Sequence, residues 1–477
     1  MVITVEHHMS DTDAFTMQLE RDPLLRSTVV AVALLDRTPD WQVLQDRVER
    51  ATRLAPTFRQ KLIQVPLQLA PPRWVLDTDF DLAWHLRRVR IREDGGMPAV
   101  LTFARNAGMG AFDHDRPLWQ ITLLEGLPDG HAALVIKVHH ALTDGIGGIQ
   151  LATHVVDFDR DPAALGPLPE IPVGRIRGLL GDMADAVTYN ARRVVTTARQ
   201  FVMSAPGSLV RAARHPVDVI TDVAATAGSI ARFVRPVTTT QSPVMRGRRL
   251  QWRYDTLDVP FARLHDAAHQ GGGSLNDAFL AGITGGLRNY HFHHGRDVEV
   301  LRLTMPISIR EDADPEGGNR VTLVRFEVPV GVTDTAERMK LIGERCRDSR
   351  HERAIPYSNA IAAMLNLLPI TVTGGMLKHV DFLASNVPGF KDDVYIGGAR
   401  LDAFYPFGPT LGSAVNFTLM SYGAMCNIGI NTDAGAVPDP EVLMDCLRRG
   451  FDEVLELSPD RRVGDRADEM EDVGRAT

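Results

Sequence analysis

Two kinds of hydrophobic pattern alternate along the first third of the chain. Residues 29–35, 120–124 and 132–138 are short, nearly uninterrupted apolar runs, which favour buried strands. Residues 41–55 instead carry apolar side chains at helical spacing, separated by polar ones. Strands that alternate with helices predict an α/β domain.

The second half of the chain repeats this alternation. Apolar runs predict strands over residues 251–259 and 322–328, and helical spacing predicts a helix over 261–268. Ser274, which follows three glycines, is a predicted N-cap for a further helix. The pattern therefore indicates a second domain of the same class.

The predicted organisation is a first domain over residues 1–161, a connection over 162–249 and a second domain over 250–477. The connection begins with a proline-rich linker. Residues 171–250 contain twelve arginines and four aspartates, a net charge of +8, and the remainder of the chain must carry −16 because the whole chain carries −8. Apolar residues recur at helical spacing among these arginines. The segment is either a solvated helical connection or an interfacial helix that is attracted to anionic lipid.

Composition narrows the class of protein. The net charge of −8 argues against general nucleic-acid binding, which needs a basic footprint. The three cysteines lack C-x-x-C spacing, which indicates a reducing compartment and predicts neither a disulfide framework nor a zinc site. No secretory signal is visible, so we expect a cytoplasmic protein.

An uncharged stretch, residues 354–377, is long enough to cross a bilayer. It contains Pro356, Pro369 and a pair of glycines, which spanning helices rarely combine. A buried or lipid-facing helix is therefore the prediction for this segment.

Three histidines, at positions 291, 293 and 294, lie near the end of a predicted helix. Their spacing suits a metal ion, but no further histidine or cysteine cluster accompanies them. We therefore expect a solvated helix terminus and no metal site.

His139 and His140 directly follow the apolar run 132–138, and Asp144 and Gly145 come after three intervening residues. An imidazole titrates near neutral pH and suits proton transfer. Asp144 is predicted to fix the loop by pairing with a cation, and Gly145 supplies backbone freedom where a side chain would clash. A bare pair of histidines is usually structural, but the Asp-Gly pair at this spacing favours a catalytic role.

The His-His-x-x-x-Asp-Gly motif resembles that of the CoA-dependent acyltransferase superfamily, whose fold is that of chloramphenicol acetyltransferase. Further blocks in order along the chain resemble the wax ester synthase/diacylglycerol acyltransferase family. These blocks are Arg116-Pro117-Leu118-Trp119, Glu125-Gly126-Leu127, Asn276-Asp277, Gly318-Asn319-Arg320-Val321, Asn386-Val387-Pro388-Gly389 and Gly397-Gly398. Phe390 departs from the proline that usually follows Asn-Val-Pro-Gly, which puts the shape of this one loop in doubt.

The resemblance implies two chloramphenicol acetyltransferase-like domains, with mixed sheets flanked by helices and an active-site tunnel at their interface. It implies transfer of an acyl group from acyl-CoA, as a cosubstrate, to diacylglycerol, a long-chain alcohol or both. It implies no bound cofactor and no metal. Peripheral contact with a membrane or a lipid droplet would involve residues 171–250.

By family match, His140 is the general base and His139 shapes the loop. An alcohol is a poor nucleophile at neutral pH and needs such a base as it attacks the thioester. Asn276 or Ser308 could stabilise the oxyanion, and the sequence does not choose between them. Asp144 is expected to be structural, with Arg310 as its partner. No covalent intermediate is required, and the chain has no G-x-S-x-G motif.

Three other interpretations compete with this one. Counted from His139, the motif also reads His-x-x-x-x-Asp, as in glycerol-phosphate acyltransferases, but their Phe-Pro-Glu-Gly block is missing. Peptide-synthetase condensation domains, which use other acceptors, share the histidine motif but lack the Pro-Leu-Trp and Asn-Asp blocks. A non-catalytic lipid-binding or droplet-associated protein on the same fold is the third, and intact His140 and Asp144 argue against it.

Overall fold

The computed structural model describes residues 7–65, 69–92, 95–161, 165–172, 181, 183–191, 228–230, 237–308, 321–352, 354–366, 368, 370–375 and 377–458. Most of the arginine-rich segment and the loop that contains Arg310 lie outside these residues.

Strands and helices alternate through the described part of the first half, as the hydrophobic pattern predicts. In chain order the elements are β1 (His7–His8), α1 (Asp11–Leu19), β2 (Thr28–Leu35), α2 (Trp41–Leu54), β3 (Gln60–Ile63), β4 (Arg73–Leu76), α3 (Leu82–His85), β5 (Leu86–Arg90), α4 (Gly96–Met109), β6 (Trp119–Glu125), β7 (Ala132–His139) and α5 (Gly145–Ala152). The strands predicted over 29–35, 120–124 and 132–138 are confirmed as β2, β6 and β7.

In its described part, the second half also combines strands and helices, but three successive helices and then five successive strands precede its last helix. Its described elements are β8 (Trp252–Pro260), α6 (Phe261–Gln270), α7 (Leu275–His293), β9 (Val300–Ser308), β10 (Val321–Pro329), α8 (Thr335–Arg350), α9 (Ser358–Leu365), α10 (Ile370–Gly375), β11 (Phe382–Pro388), β12 (Tyr395–Ile396), β13 (Ala399–Phe407), β14 (Val415–Tyr422), β15 (Met425–Asp433) and α11 (Pro440–Leu455). Ser274 caps α7, as predicted, because its hydroxyl accepts a hydrogen bond from the backbone of Asp277.

The first large sheet has the strand order β12-β13-β2-β7-β6-β5. Its central strands are antiparallel, and their register pairs Val29 with Val138 and Ala31 with Ile136. Side chains alternate along a strand, so these residues share one face, and α2 and α5 lie over that face. Helix α4 packs on the opposite face, against Val30 among others.

The second large sheet has the order β10-β9-β11-β14-β15-β8. Helices α7 and α11 cover its outer face and pack closely on each other. A Cβ on Gly286 would lie 2.7 Å from the Cα of Leu447, so the close approach of the two helices depends on this glycine. The predicted α/β fold with two sheet-rich halves is confirmed.

The second half contributes two strands, β12 and β13, to the first sheet. Strand β13 belongs to the second half of the sequence, yet it pairs with β2 of the first sheet, with Phe404 opposite Ala33. The same strand passes so close to the second sheet that a Cβ on Gly429 would meet the carbonyl oxygen of Pro406 at 1.9 Å. The division at residues 161 and 249 stays a prediction, and the sequence did not indicate this contribution.

The segment 354–377 forms two short helices, α9 and α10, and the prediction of a single helix was wrong. A proline disfavours helical backbone at the residue before it, which accounts for the interruption. Helix α9 packs on α1, where the Thr12 hydroxyl donates to Oδ1 of Asn359 over 2.7 Å. Among the helices of the described part of the chain, none is both long enough and apolar enough to span a membrane.

His291 corrects the prediction of a solvated histidine cluster. Its side chain is fully buried, with Nδ1 donating to the carbonyl oxygen of Leu287 and Nε2 accepting from the hydroxyl of Ser242, both over 2.7 Å. Burial lowers the pKa of His291, which favours this neutral form. His291 is buried because the residues before β8, among them Ser242, pack over this end of α7.

Candidate functional site

The alternation of side chains along β7 separates the two histidines of the motif. Leu134, Ile136 and Val138 face a cavity, and His140 continues this row just beyond the end of the strand. His139 lies in the other row and points to the opposite side of the sheet. The two neighbouring imidazoles therefore sit in different environments.

A ring of hydrogen bonds holds His139 in one tautomer. Its Nδ1 accepts from the backbone N–H of Ala141 over 3.0 Å, so Nε2 carries the proton and donates to Oε1 of Glu20 over 2.9 Å. The same oxygen of Glu20 accepts from the backbone N–H of Ser27 over 2.8 Å. The Ser27 carbonyl oxygen accepts in turn from the backbone N–H of His140 over 2.9 Å. The backbone that carries His140 is thus tied down on both sides.

Glu20 is held as a carboxylate within this ring. Burial alone would raise its pKa, but the hydrogen bonds that it accepts from His139 and from the backbone of Ser27 bring the pKa below the ordinary value of 4.5. Glu20 is not predictable from the sequence, because a single glutamate in a polar loop after α1 forms no recognisable pattern.

His140 is partly buried, and the exposed part of its ring faces the cavity. Burial lowers its pKa below the ordinary value of 6.5, and the neighbouring His139 lowers it further, whereas the nearby Asp144 carboxylate acts in the opposite direction. The lowered pKa favours the uncharged ring, which is able to accept a proton.

Asp144 begins the helix that follows the histidines. Its Oδ1 accepts from the backbone N–H of Gly147 over 2.7 Å, which makes it the N-cap of α5, and its side chain is buried. A carboxylate at a helix N-terminus is also stabilised by the helix dipole. Its predicted partner, Arg310, lies outside the described residues, so that pairing stays a prediction.

Gly145 permits the close contact between α5 and the second half of the chain. A Cβ at this position would lie 2.7 Å from Cγ2 of Val387, in β11. Gly145 therefore allows α5, which follows the first sheet, to pack closely against β11 of the second sheet.

The cavity at His140 has a volume of about 360 Å³ and lies between the two large sheets. One arm runs between the first sheet and helices α2 and α5, and its lining is almost wholly apolar. The other side is formed by strands of the second sheet and carries the polar side chains Ser308, Ser385, Asn386, Asn416 and Thr418. An apolar cavity with a few convergent polar groups is the usual form of a small-molecule site.

The structure separates the two candidates for oxyanion stabilisation. Ser308 lines the cavity at the end of β9. Asn276 is absent from the described lining residues, and its amide nitrogen contacts the sulfur of Met305 over 3.9 Å, on the core face of the same strand. Its neighbour Asp277 completes the cap of α7 by accepting from the backbone N–H of Ser274 over 2.8 Å.

Trp119, from the Pro-Leu-Trp block, is both a core residue and part of the cavity wall. Its Nε1 donates to the carbonyl oxygen of Phe58 over 2.7 Å, and the two rings meet edge to face. Phe390, which departs from the usual proline, also lines the cavity. Within the described residues no group of three or more histidine, cysteine or acidic side chains is arranged to hold a metal.

Family comparison matches most of the chain. Residues 9–279 match the wax ester synthase/diacylglycerol acyltransferase catalytic domain, and residues 317–455 match the WS/DGAT C-terminal domain. A relative in Mycobacterium tuberculosis, whose name assigns it to the diacylglycerol O-acyltransferases, is 36% identical over 460 residues, which cover 92% of this chain and 90% of the relative. A second such relative from the same species is 26% identical, with 96% and 97% of the two chains covered.

Solved structures share the fold. The wax ester synthase/diacylglycerol acyltransferase from Marinobacter aquaeolei superposes with a TM-score of 0.63 at 21% identity, covering 95% of this chain and 100% of that one. The starter condensation domain of rhizomide synthetase, solved with C8-CoA and Leu-SNAC, gives 0.60 at 14% identity, covering 95% and 94%.

Proposed function

The chain belongs to the wax ester synthase/diacylglycerol acyltransferase family and is an O-acyltransferase, and from that premise we propose that it moves a long-chain acyl group from acyl-CoA to diacylglycerol, a long-chain alcohol or both. His140 is the general base. The observation that carries the proposal is the imidazole of His140, with its backbone fixed on both sides, that faces an apolar cavity between the sheets.

In the proposed reaction, Nε2 or Nδ1 of His140 accepts the hydroxyl proton as the acceptor oxygen attacks the thioester carbonyl carbon. The tetrahedral intermediate collapses, the carbon–sulfur bond breaks, and the CoA sulfur leaves with the proton from the imidazolium. A thiol ionises near pH ~8.5, so it is a good leaving group and no acyl-enzyme is needed. General-base assistance of this kind contributes ~10² to 10⁴-fold.

Ser308 is the better-placed of the two predicted oxyanion donors. Its position on the cavity wall supports it, whereas Asn276 contacts the core face of β9. One donor of this kind contributes ~3 kcal/mol to transition-state stabilisation.

The apolar lining fits both acceptor classes, because each is a largely apolar molecule with a free hydroxyl group. The fixed backbone of His140 supports a catalytic protein over a non-catalytic lipid carrier, which has no need for a positioned base.

Contact with an anionic membrane or droplet surface through residues 171–250 is part of the proposal. In its described part, Asp185 pairs with Nε2 of His8 over 3.1 Å and Ala186 is buried, which anchors this stretch on the first half of the chain. The adjacent Val187 is 63% exposed, so this stretch presents an apolar side chain to solvent. Such a face suits a lipid surface.

Incubation of the purified protein with labelled palmitoyl-CoA and each acceptor in turn tests the proposed function. Labelled triacylglycerol or wax ester is expected, and His140→Ala should remove it. Binding of palmitoyl-CoA without product from any hydroxyl acceptor would identify a lipid carrier instead, and product from an amine acceptor would identify a condensation-type enzyme.

A further inference from the structure

The apolar arm of the cavity follows two central strands of the first sheet. On β2 the residues that face it are Val29, Ala31 and Ala33, and register places Ala31 opposite Ile136. Alanine is a poor strand former, and a β-branched residue is the usual choice at such positions. The reverse face of β2 has valine at both intervening positions. Two alanines therefore occupy a row where larger side chains are usual.

The arm closes with distance from His140. Along β7, Val138 and Ile136 are partly exposed to the cavity, whereas Leu134 is only 2% exposed. Ala33, opposite Leu134, is fully buried, as is Leu44 of α2 on the covering side. The arm is thus open at the catalytic histidine and blind at its far end.

The depth of the arm follows from strand geometry. Ile136 lies four residues from His140 and Leu134 lies six, which at ~3.4 Å per residue places them about 14 Å and about 20 Å from it. A narrow, blind channel of this depth, lined by apolar side chains, matches a single unbranched hydrocarbon chain. Diacylglycerol carries two chains and does not match it, whereas the acyl chain of the donor is single with every acceptor.

We infer that this arm holds the acyl chain of acyl-CoA, with its thioester at His140, and that Ala31 and Ala33 set the longest chain accepted. The inference rests on the proposed function. Ala31, opposite Ile136, limits the chain at mid-depth, and Ala33, opposite Leu134, limits it near the blind end. The two positions therefore limit the length of the acyl chain at two successive depths of the arm.

The test measures kcat/KM for acyl-CoA substrates from octanoyl to stearoyl with one fixed acceptor. Ala31→Leu should lower the ratio of palmitoyl-CoA to octanoyl-CoA by about tenfold or more, because one misplaced methylene in an apolar pocket already has an effect of that size. Ala33→Leu should spare dodecanoyl-CoA and reduce only the longest substrates. Leu134→Ala should act in the opposite direction and extend the range beyond palmitoyl.

Ala133→Leu is the matched control. Ala133 is fully buried in the same strand pair but faces the opposite side of the sheet. This variant makes the same change of volume and should leave the chain-length ratio unaltered, whatever its effect on thermal stability. A ratio that changes equally in this control and in Ala31→Leu would overturn the inference.

Two further outcomes would also overturn it. One is an unchanged acyl-chain profile in folded Ala31→Leu and Leu134→Ala proteins. The other is a shift in the preferred length of the alcohol while the acyl profile stays constant, since the arm would then hold the acceptor. If the wild-type protein transfers no acyl group, the proposed function fails. Binding of fatty acids of graded length to the same variants would still measure the longest chain that the arm accepts.

Discussion

His139 donates from Nε2 to Oε1 of Glu20 over 2.9 Å, across 119 residues of sequence. The pair lies on the side of the sheet away from the cavity, so neither residue reaches a substrate. The pair instead fixes the backbone of His140. Glu20 accepts a hydrogen bond from the Ser27 backbone N–H, and the Ser27 carbonyl oxygen accepts one from the backbone N–H of His140. The first histidine of the motif thus supports the second.

Replacement of the base is the most direct prediction. His140→Ala should lower kcat by ~10² to 10⁴-fold with the fold intact, because the side chain lies beyond the end of a strand. His139→Ala should have a smaller effect on kcat. A purified, folded His140→Ala protein that keeps more than about a tenth of the wild-type rate would show that another group is the base.

The pH dependence of the reaction should reflect the environment of His140. Burial and His139 lower its pKa below 6.5, so the neutral, active form persists on the acid side of that value. The acid limb of kcat/KM, which reports the free enzyme, should therefore fall below pH 6.5. A limb above that pH would contradict the assignment.

Glu20 should affect catalysis by positioning. Glu20→Ala is expected to lower kcat by up to ~10²-fold with little change in KM, because small displacements of a catalytic group are costly. Glu20→Gln keeps an acceptor oxygen and should restore much of the rate. A purely structural role would lower thermal stability and leave kcat per folded molecule unchanged.

The lowered pKa of Glu20 also has a stability consequence with a definite sign. A carboxyl whose folded pKa is depressed stabilises the fold above its unfolded pKa, and the contribution is lost as pH falls through the folded value. The free energy of unfolding of wild type relative to Glu20→Gln should therefore decline as pH falls below 4.5. Urea denaturation across that range measures it, and a difference that is constant with pH would contradict the lowered pKa.

Asp144 should stabilise the start of α5. Asp144→Ala removes the cap and should cost ~1 kcal/mol, while Asp144→Asn, which also caps, should cost less but still lower activity through loss of charge. If Arg310 is its partner, Arg310→Gln should produce a similar loss. A double-mutant cycle decides the pairing, since strictly additive effects would mean that the two residues do not interact.

The arginine-rich segment should bind anionic lipid. Attraction is worth ~1 kcal/mol per basic residue near the surface and is screened beyond ~8 Å at physiological salt. Flotation with phosphatidylglycerol vesicles should show binding that fades as salt rises. Replacement of Arg192, Arg193 and Arg199 by glutamine should weaken it.

A charge-matched control separates this effect from net charge. Arg345, Arg347 and Arg350 are exposed on α8, outside residues 171–250, and their replacement by glutamine should leave flotation unchanged. Turnover of a soluble short-chain acceptor should be the same in both triple variants. Equal flotation on neutral and anionic vesicles, or none on either, would leave the segment as a solvated surface.

Local sequence patterns predicted the strand that carries the histidines, but they did not predict the contacts between distant segments that complete the site. The apolar run before His139 predicted β7, and strand alternation then requires the two histidines to face opposite sides. Which side borders a cavity depends on α2 and α5, whose packing the sequence does not reveal. Glu20 was unpredictable because its partner is distant in sequence. His291 was misjudged because the segment that buries it comes from a stretch without periodicity.

The placement of β13 in the first sheet has a consequence for biosynthesis. Strand β2 leaves the ribosome early, and its β13 neighbour emerges only near the end of translation. Until then one edge of β2 has no partner strand from β13, and long-range pairing of this kind is slow and exposes the nascent chain to aggregation. Expression of the first half alone should therefore yield a protein that depends on chaperones, and coexpression with the second half should rescue it.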